Sequence, residues 1–90
     1  MNRETIVKIM TDVILDLGIY VDKDEFNKKD VDMREYIKDS MTFISFFIGM
    51  EDALEIELPD TLLSFESLIS SDSLSNSILE YYNETKNDKK

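Results

Sequence analysis

A hydroxyl with a carboxylate beside it, Ser40 after Asp39, opens the most apolar run of the chain, Met41 to Leu54. The 90 residues contain no cysteine and no histidine. That excludes thiolate catalysis, a disulfide framework, Cys- or His-based metal sites and most hydrolytic mechanisms. A serine hydroxyl is a weak nucleophile until a base takes its proton, and no such base is evident. Ser40 therefore does not read as a catalytic nucleophile of this chain. The chain reads as no enzyme, with no catalytic residue. The plainer alternative for Ser40 is a simple N-cap, the commoner fate of a serine at a helix start.

One helix must position that hydroxyl. Asp39 and Ser40 are both good capping types, because a short side-chain oxygen accepts from the orphan N–H groups of a first turn. The helix is predicted to start at Ser40. Wound at about 100° per residue, it divides into two apolar faces. Phe43, Phe46, Phe47, Met50 and Leu54 recur at core-packing spacing. Met41, Ile44 and Ile48 fall opposite, with Ser45 and Asp52. A small domain buries one such stripe well, so the second is expected as an exposed apolar patch with an acidic flank at Glu51 and Asp52. Patches of this kind mark partner sites.

Asp39-Ser40-Met41 before a hydrophobic helix, followed by Glu51-Asp52-Ala53-Leu54-Glu55-Ile56-Glu57-Leu58-Pro59-Asp60, resembles the acyl and peptidyl carrier proteins, or thiolation domains. The resemblance extends from about Met33 to Tyr82. It implies an all-α fold: a four-helix carrier-protein-like bundle with a long loop between helices one and two and a short third helix. It also implies that Ser40 carries a 4'-phosphopantetheine arm whose thiol holds acyl or aminoacyl cargo as a thioester. Asp39, Met41, Ile44, Ile48, Glu51 and Asp52 would meet partners, namely a phosphopantetheinyl transferase and cargo-loading or cargo-processing enzymes acting in trans. The chain has Ile37 where the family often has glycine. It has Thr42 and Ser45 where fatty-acid-type members carry carboxylates, a mild tilt toward specialised metabolism among fatty acid, polyketide and nonribosomal peptide pathways. The alternative is an acidic helical interaction module that uses the same stripe and is never modified.

Size and charge bound both readings. A chain this short forms one domain and buries only about 60 to 65% of its unfolded surface. Two glycines and one proline leave few turn signals for a sheet, which independently favours helices. Twenty acidic against ten basic residues give a net charge of −10. That charge disfavours nucleic acid and anionic membranes and favours basic protein surfaces. No run resembles a signal peptide or a membrane span, so a cytoplasmic monomer is the expectation.

The remaining chain reads as scaffold. Ile6, Met10, Val13, Ile14 and Leu17 predict a first helix over 3–17, closed by Gly18 in left-handed geometry. Residues 19–38 form a long connection anchored above all by Phe26. Its Asp22, Asp24, Asp30 and Asp32 invite a calcium reading. An EF-hand frame starting at Asp22 puts Asn27 where glycine belongs and Met33 where the bidentate glutamate is required, so no metal is expected. Pro59 ends the second helix, and Asp60 is placed as the cap of a short third helix packing Leu62, Leu63, Phe65, Leu68 and Ile69. A fourth begins near Asp72 and runs to Tyr82. Domain 1–82 is then followed by a disordered polar tail, 83–90.

Overall fold

Asn2 begins the first helix by accepting the Thr5 N–H at 2.9 Å with its side-chain oxygen, and α1 follows over Arg3–Asp16. The computed structural model describes residues 1–87. Among them the chain is all-helical, with no strand and four α-helices. The others are α2 (Lys23–Lys28), α3 (Ser40–Leu54) and α4 (Ser71–Asn87), with 3-10 turns at Met33–Glu35, Asp60–Leu62 and Phe65–Leu68. The hub is α1, which packs against each of the other three helices. Ile6, Val7, Met10 and Ile14 are buried on it. Gly18 closes α1 with φ +84°: its N–H donates to the Leu15 carbonyl and the Ile19 N–H to the Ile14 carbonyl. These two hydrogen bonds satisfy carbonyls of the helix end.

The connection from residue 19 to 38 is more ordered than a loop. Asp22 accepts the N–H groups of Asp24 and Glu25, which starts the six-residue α2. Asp32 similarly caps the turn at Met33–Glu35. Both carboxylates act as caps, as short acidic side chains do before a first turn. Phe26, Met33 and Ile37 are fully buried, with Val21 and Val31 nearly so. Phe26 stacks at a tilt on Tyr36, centroids 5.5 Å apart.

Three expectations need correction. The short third helix is two 3-10 turns, and Asp60 caps nothing with its side chain. Ser67 explains part of this: its hydroxyl donates to the carbonyls of Leu62 and Ser64, competing with helical bonding. Leu68 alone of the apolar residues expected to pack there is fully buried, while Leu63, Phe65 and Ile69 are exposed. Second, the connection holds a helix of its own. Third, α4 does not stop at Tyr82 but continues to Asn87. Of the polar tail placed at 83–90, the last three residues lie outside the described residues.

The start of α4 is fixed from a distance. Asp30 accepts the Asp72 N–H at 3.0 Å and the Ser70 hydroxyl at 2.7 Å, while the Val31 N–H donates to Ser71 Oγ at 2.9 Å. Ser71 returns its own N–H to the Val31 carbonyl at 2.8 Å, and Arg3 pairs with Asp72. This lock holds the connection against the last helix.

Candidate functional site

Ser40 is the first residue of α3 and is exposed. Asp39 precedes it in extended backbone geometry, and its Oδ1 accepts the Thr42 N–H at 2.7 Å. That backbone bond, followed by the Thr42 side chain, holds the Asp39 carboxyl below its usual range. A carboxylate so held is a poor proton acceptor, so Asp39 organises the helix start rather than activating the hydroxyl. The amides of the first turn and the positive end of the helix dipole favour an anion here.

Burial divides α3 by face. Phe43, Phe46, Phe47, Met50 and Leu54 are buried. Met41 is 82% exposed, Ile44 55% and Ile48 52%. Asp52 is exposed at the same face. Glu51 differs from Asp52: it is part-buried, and its Oε2 accepts the Leu58 N–H at 2.8 Å. The Glu51 carbonyl also accepts from Glu55 and Ile56. Glu55 stands just past the helix in left-handed geometry, φ 57°, so α3 ends at Leu54 and not at Pro59 as expected, and the turn folds Ile56 and Leu58 into the core. Glu51 is thus first a support for the end of α3.

A second apolar surface flanks the helix start. Phe65 stacks on Phe43, three residues after Ser40, with centroids 4.9 Å apart and planes at 22°. Phe43 in turn meets Phe47 edge-on at 4.9 Å. The exposure of Leu63, Phe65 and Ile69 was not legible in the sequence, where these residues read as core. The available signal was the interleaved Ser64 and Ser67, which break helical continuity. No lysine or arginine falls between Lys38 and Lys86, although half of the 20 acidic residues do. The one described ion pair of that stretch is Arg3 with Asp72.

No protein-family model, curated protein or solved structure matches this chain.

The arrangement around Ser40 is therefore read from its own chemistry. The structure brings Asp39, Ser40, Met41, Ile44, Ile48 and Asp52 to the exposed surface of α3, with Glu51 beneath its far end. The hydroxyl is accessible, and the surroundings are apolar and acidic. No group of three or more acidic side chains among the described residues is placed to hold a metal. Nor is any described helix long and apolar enough to cross a membrane.

Proposed function

We propose that this chain is a carrier protein, modified at Ser40 with 4'-phosphopantetheine and presenting acyl or aminoacyl cargo to partner enzymes. The observation that carries it is the exposed Ser40 at the first turn of α3, followed along the same helix by the exposed Met41, Ile44 and Ile48. The four-helix arrangement suits a carrier-type bundle, with the long connection between α1 and α3 partly folded. The arm supplies the thiol that a chain without cysteine lacks.

In the attachment step the Ser40 oxygen forms a bond to the phosphorus next to the pantetheine in coenzyme A. The pyrophosphate bond breaks, 3',5'-ADP leaves, and the serine proton passes to a base of the transferase, since this chain provides none. The helix N-terminus stabilises the negative phosphodiester that results. Met41, Ile44 and Ile48 give the transferase and the cargo enzymes an apolar surface to read, and the acidic surroundings steer basic partners toward it. On this reading the protein works as a cytoplasmic monomer with its enzymes in trans. The second reading, an unmodified acidic interaction module, is favoured by the same exposed stripe.

Mass spectrometry separates them. Incubation with coenzyme A and a broad-specificity phosphopantetheinyl transferase adds one phosphopantetheine to the wild-type chain and none to Ser40→Ala. An unchanged wild-type mass, or an equal gain in the variant, rejects the carrier reading.

A further inference from the structure

An open groove runs between α1 and α3, floored by Ile9, Val13 and Leu17 of the first and by Ser45, Gly49 and Ala53 of the second. Those three α3 residues recur every four positions, so the helix turns a row of small side chains toward α1. At Gly49 the approach is close enough that a Cβ would stand 2.6 Å from Val13 Cγ1. Helices this close leave a shallow trough, in which Ile9 and Leu17 are only part-buried. A trough of that form accepts the side-chain ridge of another helix.

Its rim is acidic. Asp12 is already matched: Lys23 at 2.6 Å and Lys8 at 3.3 Å hold its carboxyl below the usual range. Asp16 and Asp52 are exposed and have no ion-pair partner among the described residues. Ile44 and Ile48 lie on the Asp52 side at helical spacing and extend the apolar floor outward.

We infer that this groove docks an amphipathic helix of a basic partner protein, its apolar ridge in the trough and its lysines or arginines facing Asp16 and Asp52. Charge complementarity selects this occupant. A second copy of the chain would bring another net charge of −10, and an anionic membrane would be repelled in the same way. The inference goes beyond the carrier reading, because it requires neither Ser40 nor an attached arm.

The test uses the full chain carrying Ser40→Ala, so that attachment cannot affect it, labelled with 15N for amide shift mapping. The probe is a synthetic helix of about 18 residues, five turns, with leucine on one face and lysine on the other. A peptide with glutamate in place of lysine is the control. Saturable shifts are expected at Ile9, Leu17, Ser45, Gly49 and Ala53, with none from the control. Ala53→Trp fills the trough without changing charge, and Asp16→Lys with Asp52→Lys reverses the rim. Each is expected to weaken binding about tenfold or more while circular dichroism stays unchanged. Shifts centred on Leu63, Phe65 and Ile69, shifts spread evenly over the acidic surface, or affinities within about twofold of the parent in both variants overturn the inference.

Discussion

At Asp39 and Ser40 two neighbouring side chains divide two tasks. Asp39 fixes the first turn of α3 through the Thr42 N–H, which leaves the Ser40 hydroxyl exposed and unencumbered by a capping role. Folding lowers the Asp39 pKa, so the folded state holds the ionised form. Its stabilisation is fully present above about pH 4, where an ordinary aspartate is ionised, and is lost as pH falls through the lowered folded value. Asp39→Ala should therefore melt below the wild type at pH 7, with the gap narrowing below about pH 4. Asp39→Asn, which caps without titrating, should stay close to the wild type at neutral pH. Thermal melts between pH 7 and pH 3 check this, and a pH-independent gap in Asp39→Ala would remove the charge from the account.

At the scale of the element, α3 is one helix with two environments, and adjacent residues report on them. Phe47 is buried against Phe43 and Phe46, whereas Ile48 is half in solvent. Phe47→Asp forfeits aromatic packing, typically about 3 to 5 kcal/mol, and adds the desolvation of a carboxylate. A domain this small should largely unfold. Ile48→Asp places its carboxylate in water, so ellipticity and melting temperature should barely move while the rate of Ser40 modification falls. Circular dichroism with a timed mass assay separates the outcomes: if both variants unfold, Ile48 belongs to the core. If Ile48→Asp folds and is modified at the wild-type rate, the transferase does not read the stripe.

The whole molecule carries its charge unevenly. Lysines and arginines in the first part of the chain meet carboxylates in ion pairs such as Lys23–Asp12 and Arg34–Asp32, but residues 39–85 contain no cation. Exposed pairs contribute little, so mutual repulsion among the unmatched carboxylates should dominate the response to salt. The melting temperature is expected to rise between low salt and about 0.5 M sodium chloride, as the screening length contracts below about 10 Å. Magnesium and calcium should raise it alike. A fall with salt, or a saturable response to calcium alone, contradicts this.

Much of this organisation was legible in the sequence because the deciding signals are local. The cap at Asp39, the periodicity of the phenylalanines and the left-handed Gly18 each act within a turn or two, and composition alone favoured helices, whereas the end of α3 falls at Leu54 and not at Pro59, because Glu55 takes left-handed geometry there. Phe26 as the anchor of the connection was legible too, as the large apolar residue in a charged stretch. Tertiary structure decided what depends on distant partners. Asp30 caps a helix 42 positions away, Ser71 pairs with Val31 across 40, and Gly49 admits Val13 from another helix. The 3-10 turns at 60–68 lie in the same category. Their apolar residues have nearly helical spacing, but the Ser67 hydroxyl claims local carbonyls and the neighbouring Phe43 offers Phe65 a stacking partner. Such choices rest on long-range closure, in which an interaction gains its energy only after the intervening chain has been ordered, and no pattern confined to a few residues encodes them.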